Sequence, residues 1–168
     1  NMTVFVPCDA NETERCIDAA MAINGPVYIR LARLPSPIFE MDMPFIPGKV
    51  NVLREGKDEV LLCSGVMVSE CMAAAELLAA QGKSVTVVNA HTLKPFDEEG
   101  VRALAAKYKN VFTVEEHSII GGLGDATAAA LVNMDGVRLT KLGLNDEFGQ
   151  SGKPADLLKA YKLDAQSI

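Results

Sequence analysis

Residues 59–63 read Glu-Val-Leu-Leu-Cys, an apolar run without polar alternation, and no other feature constrains the fold as tightly. A strand of that kind is buried on both faces, which calls for a sheet covered by helices on each side. The flanking sequence follows suit. A short strand at 50–53 and a turn at Gly56-Lys57-Asp58 lead into it. Helical spacing over 66–81 then places Met67, Cys71, Ala74, Ala75 and Leu78 on one face, with Gly82 as C-cap. A strand at 84–88 is followed by a helix opened by Asp97 and striped by Val101, Leu104, Ala105 and Tyr108. A strand at 110–114, a helix at 122–133 and a strand at 137–142 continue the alternation, and Pro154 starts a last helix carrying Leu157, Leu158 and Tyr161. The pattern predicts a three-layer α/β/α sandwich with a mostly parallel, mixed sheet of about five strands.

The first 34 residues form a separate unit. Residues 3–6 make a short strand ending at Pro7, Asp9 caps a helix with Glu12 as capping-box partner, and Ile17, Ala20 and Met21 supply its apolar stripe. Gly25-Pro26 stops the helix and a β-rich run follows over 27–31. Strand–helix–strand requires a parallel pair. Two strands and one helix cannot bury their own faces, so this unit reads as the remnant of a second α/β domain, with the chain starting partway through it. Pro35, Pro37, Pro44 and Pro47 mark a linker whose Phe39, Met41 and Phe45 are expected to pack along a surface. The expected division is a remnant at 1–34, a linker at 35–47 and a second domain at 48–168.

Nearly half of the residues are hydrophobic (49%), enough for a sizeable core and too many for a disordered chain. The net charge is −6 with scattered lysines and arginines, so no face invites nucleic acid. The longest apolar run falls far short of the ~20 residues of a membrane span. Cys8, Cys16, Cys63 and Cys71 show no CxxC spacing and His91 and His117 are not spaced as metal ligands, so packed, reduced thiols, no metal site and a cytoplasmic location are expected.

Three places carry polar groups suited to chemistry. Arg30 and Arg33 lie at the carboxyl end of the 27–31 strand, the edge where open α/β sheets bind ligands, and a guanidinium fork matches a phosphate or carboxylate. The plain alternative is strand-end arginines pairing with a nearby acid. Glu115, Glu116 and His117 end another strand; carboxylates beside an imidazole can move protons, or they can simply fix the following loop at an interface. Gly121, Gly122 and Gly124 open a helix whose amides could cradle a phosphate, but the spacing is neither GxGxxG nor a Walker loop, and such glycines also serve tight turns and close packing.

Taken together, Asn1-Met-Thr-Val-Phe-Val-Pro-Cys-Asp9, the GPxxxRLxR-type stretch from Gly25 to Arg33, Thr92-Leu-Lys-Pro-Phe-Asp97, Val114-Glu-Glu-His-Ser-Ile-Ile-Gly-Gly-Leu-Gly124 and Phe148-Gly-Gln-Ser-Gly-Lys-Pro154 resemble the C-terminal portion of transketolase, closest to the short C-terminal subunits of split transketolases. The resemblance spans the chain. It implies thiamine-diphosphate-dependent transfer of a two-carbon ketol unit between phosphorylated sugars. It assigns Arg33 to the substrate phosphate and Arg30 to a position basic in only some relatives; Ala32 stands where a serine is common. It gives the Glu115–Gly124 corner architectural and dimer-contact duties rather than catalysis. The family's activating glutamate, substrate histidines and metal–diphosphate motif lie upstream of Asn1. The resemblance therefore implies that thiamine diphosphate and Mg²⁺ belong to the complete enzyme, that this chain alone binds neither and is inactive, and that it works with an N-terminal portion or subunit in a homodimer or heterotetramer. Two rivals stay open: the same section of a 2-oxoacid dehydrogenase beta subunit or deoxyxylulose-phosphate synthase, and a non-catalytic interaction module with an exposed sheet edge.

Overall fold

The computed structural model describes residues 1–33, 35–39 and 43–168. In chain order the elements are β1 (Thr3–Phe5), α1 (Ala10–Ala22), β2 (Val27–Ile29), β3 (Asn51–Arg54), β4 (Glu59–Cys63), α2 (Met67–Ala80), β5 (Val85–Asn89), β6 (Thr92–Lys94), α3 (Glu98–Tyr108), β7 (Asn110–Ser118), α4 (Leu123–Leu131), β8 (Arg138–Leu144) and α5 (Pro154–Ala160).

The larger sheet has the order β3-β5-β4-β7-β8, and only β3 runs antiparallel to its neighbour. β4 lies at its centre. Successive side chains point to opposite faces, so Leu61 and Cys63 join Met67, Val68, Cys71 and Ala75 of α2, while Val60 and Leu62 join Val101 and Ala105 of α3 and Leu123 of α4. That division explains why the strand carries no polar residue at its centre. The chain's end closes the first layer: Leu163 is buried among the α2 contacts, and the Ala165 amide donates to Glu70 at 2.8 Å. No helix among the described residues is long and apolar enough to cross a membrane.

The smaller sheet, β2-β1-β6, differs from expectation in an instructive way. β1 and β2 pair in parallel as the strand–helix–strand pattern requires, but the third strand is β6, from within the 48–168 segment, paired antiparallel to β1. Residues 92–94 do not sit in a longer β-rich run, unlike the equally short β1 and β2. The expected apolar stripe of α1 is also corrected. Ile17 is 48% and Met21 83% exposed, whereas Glu12 and Cys16 are the buried residues of the helix. Several lines of residues on α1 are spaced to share a face, and the one that meets a neighbour is decided by the Asn89 end of β5 rather than by hydrophobicity. β7 runs on through Ser118, four residues beyond the apolar run that marks it in the sequence.

Phe39 and Phe45 of the proline-rich linker are bonded or packed against the body. The Phe39 amide donates to Asp9 Oδ2 at 2.8 Å, and the Phe45 ring stacks on His91 at 4.2 Å and meets Phe5 edge-on at 5.1 Å. Met41 falls outside the described residues.

Candidate functional site: the seam between the two sheets

Both candidate arginines follow β2 at its carboxyl end and project toward β7. Arg30 is fixed: its amide donates to Phe5 O at 2.8 Å, and its guanidinium donates to the backbone carbonyl of Glu116 at 2.8 Å. Arg33 is exposed and makes no hydrogen bond or ion pair to the described residues. With Arg30, Ala32, Gly65 and Glu116 it lines a cleft of about 240 Å³ at the seam, and it also borders a larger cleft of about 550 Å³ floored by Leu144, Leu157 and Tyr161. The two guanidiniums thus differ: that of Arg30 is committed to backbone, and that of Arg33 is exposed with no bond to the described residues.

The acidic corner has a different geometry. Gly122 stands at the N-cap of α4 and has no side chain to offer, so the first amides of the helix need another acceptor. Glu115 supplies it. Its carboxylate, 3% exposed, accepts from the amides of Leu123 at 2.7 Å and Gly124 at 2.8 Å, at the positive end of the helix dipole. A Cβ on Gly122 would collide with that carboxylate, and one on Gly124 would come within 2.6 Å of Lys141, which explains two of the glycines. Gly121 adopts φ +78°, a conformation that side chains rarely take. Its amide goes to Asp125, which also pairs with Lys141. The amides a phosphate would need here are therefore taken. His117 is 44% exposed; its Nδ1 lies 2.7 Å from Ser118 O and 3.8 Å from Glu115 Oε2. Glu116 is exposed, so the three residues do not converge on one reacting position.

One polar cluster was not singled out in the sequence. Asp9 uses both carboxylate oxygens, Oδ1 for the Glu12 amide at 2.7 Å and Oδ2 for the Phe39 amide. Glu12 does not close the capping box on Asp9. Its carboxylate accepts from the Cys8 amide at 2.7 Å and from Asn89 Nδ2 at 2.8 and 3.1 Å, joining α1 to β5. Burial raises the Glu12 pKa, and burial with the neighbouring acid raises the Cys8 thiol. Asp9 and Glu12 are legible in the sequence as a cap and its partner, but their joining to Asn89, a polar residue ending an otherwise apolar strand, is not.

The chain is thus a mixed α/β sandwich joined along a polar seam to a small mixed sheet whose β2 edge is unpaired among the described residues. Comparison with known proteins makes this specific. Residues 48–168 match the model of the transketolase C-terminal domain family, and the chain belongs to that family. A 6-deoxy-6-sulfo-D-fructose transketolase subunit from Clostridium sp. (strain MSTE9) is 42% identical over 168 residues, covering 99% of this chain and 52% of the relative. A solved split-gene transketolase, an inactive beta4 tetramer, superposes with TM-score 0.94 at 43% identity, covering 99% of this chain and 55% of the other. The 1-deoxy-D-xylulose-5-phosphate synthase of Nitrosomonas europaea is 38% identical over 172 residues, all of this chain and 27% of the synthase. The chain spans about half the length of the first two relatives.

Proposed function

We propose that this chain is the C-terminal part of a thiamine-diphosphate-dependent transketolase, completed by an N-terminal portion or subunit, and that Arg33 holds the phosphate of the sugar substrate. The single observation that carries the reading is the exposed Arg33 guanidinium, unbonded among the described residues, in the seam cleft at the carboxyl end of a parallel strand in a chain of this family. Arg30 supports it from behind: by holding Glu116 O it fixes the start of the segment that carries Arg33 and adds positive charge to the cleft.

Thiamine diphosphate, when bound, supplies the carbanion chemistry of ketol transfer. The described residues gather no group of three or more His, Cys, Asp or Glu able to hold a metal ion, and this reading draws neither the cofactor nor its Mg²⁺ onto them. Both are assigned to the complementary half. In this reading the chain alone is inactive, Glu115 and its glycines keep the α4 corner rigid, and the open edge of β2 pairs with the complement in a homodimer or heterotetramer.

The test uses the chain assembled with its N-terminal complement. Ketol transfer from a ketose phosphate to ribose 5-phosphate is expected, and Arg33→Ala should raise KM for phosphorylated sugars by about 1.5–3 kcal/mol of lost charge-assisted contact. An unchanged KM refutes the role of Arg33. The synthase relative favours a second reading, condensation of pyruvate with an aldose phosphate; turnover of pyruvate without ketol transfer would establish it.

A further inference from the structure

We propose that Asp9 is a positioning residue for Arg33, acting through the backbone of Phe39; this rests on the assignment of Arg33 to a substrate phosphate. Arg33 lies between two fixed points. On one side the Arg30 amide donates to Phe5 O and the Arg30 guanidinium to Glu116 O, both at 2.8 Å. On the other, the Phe39 amide donates to Asp9 Oδ2 at 2.8 Å. Arg33 thus lies between two bonded positions, Arg30 and Phe39, while it is itself exposed.

Asp9 suits this duty because it does not itself move. It is 6% exposed, its other oxygen accepts the Glu12 amide at 2.7 Å, and its backbone carbonyl accepts from the Thr13 amide at 3.0 Å and the Thr13 hydroxyl at 2.7 Å. Glu12, bonded to the Cys8 amide and to Asn89 Nδ2, refers that helix end to β5 of the larger sheet. Arg33 is therefore set relative to both sheets that border its cleft. Fixing the backbone on either side of the arginine before the phosphate arrives leaves only side-chain torsions to be ordered on binding.

The two oxygens of Asp9 can be separated experimentally. Asp9→Ser keeps a side-chain oxygen able to cap α1 but is too short to reach Phe39; Asp9→Asn keeps one acceptor and turns an amide group toward a second donor. Both are measured in the assembled enzyme with phosphorylated and unphosphorylated ketol donors, alone and combined with Arg33→Ala. The expected result is a KM raised about fivefold for the phosphorylated donor, consistent with one lost hydrogen bond. kcat and the KM for the unphosphorylated donor should be unchanged, and the Asp9 effect should vanish when Arg33 is absent. Equal changes for both donors, or an Asp9 effect that persists without Arg33, would overturn the proposal and leave Asp9 a helix cap. If Arg33→Ala itself fails to distinguish the donors, the phosphate assignment fails first.

Discussion

Removing the Glu115 carboxylate should cost far more than removing any exposed acid of this protein. The carboxylate is buried and satisfies two amides, those of Leu123 and Gly124, that have no other acceptor. A hydrogen bond to a charged group contributes roughly 1.5–3 kcal/mol, and an amide left buried and unpaired keeps its full desolvation penalty. Two such bonds make Glu115→Ala about 3–5 kcal/mol destabilising, after allowing for water entering the gap. In a protein of this size that is a fall of roughly 10 °C or more in Tm. Glu115→Gln should lose about half as much, since one oxygen remains while an amide group confronts the second N–H. The measurement is urea unfolding followed by far-ultraviolet circular dichroism, with unchanged m-values required for the comparison. Gly122 sharpens the test. Because an alanine Cβ there would strike the Glu115 carboxylate, Gly122→Ala should be severe in the natural protein and milder in the Glu115→Ala background, where only the half-exposed His117 ring, 2.8 Å away, must give. A loss below about 1 kcal/mol for Glu115→Ala, or additive costs in the double variant, would refute the capping argument.

Further outcomes concern the buried junction and the thiols. His91 is fully buried, its Nε2 has no partner among the described residues, and burial lowers its pKa from 6.5 to about 4. The unfolded chain therefore binds the proton first, so this stability is complete above pH 6.5 and is lost as pH falls toward 4, about 3 kcal/mol in all. Glu12, with its pKa raised by burial, acts in the opposite sense, so the His91 share is read as the difference from His91→Phe across an acid titration of Tm. All four cysteines are buried and burial raises the Cys16 thiol to about 11, so a disulfide reagent at neutral pH should modify none of them until urea is added; rapid labelling of the folded protein would contradict the packing. Arg30→Ala should lower Tm only slightly, because its bond to Glu116 O is exposed, yet raise KM for phosphorylated sugars by freeing one end of the Arg33 segment.

Much of this was legible without coordinates because it depends on local pattern. The continuous apolar run at 59–63 required a sheet covered on both faces, and residues 60 to 63 do alternate between two helix layers. Asp97 and Asp9 were readable as caps because a side chain reaching the amide three residues on is a property of the local backbone, and both do so. Pairings between distant segments were not legible. β6 joins the first sheet by its position beside β1, although its three residues hold no strand signal. The buried side of α1 is chosen by Asn89, 77 residues from Glu12, and so Ile17 and Met21 face outward despite their spacing. Glu115 and Gly122 were visible as a polar corner and a glycine turn, but only the fold brings the carboxylate onto the helix amides and shows why the glycine has no room for a side chain. The sequence by itself determined the order of every strand and helix but β6, and the family resemblance, because periodicity and capping act over one or two turns of chain. The tertiary structure alone decided that Arg30 is bonded while Arg33 has no bond to the described residues, because that depends on a backbone carbonyl 86 residues from Arg30.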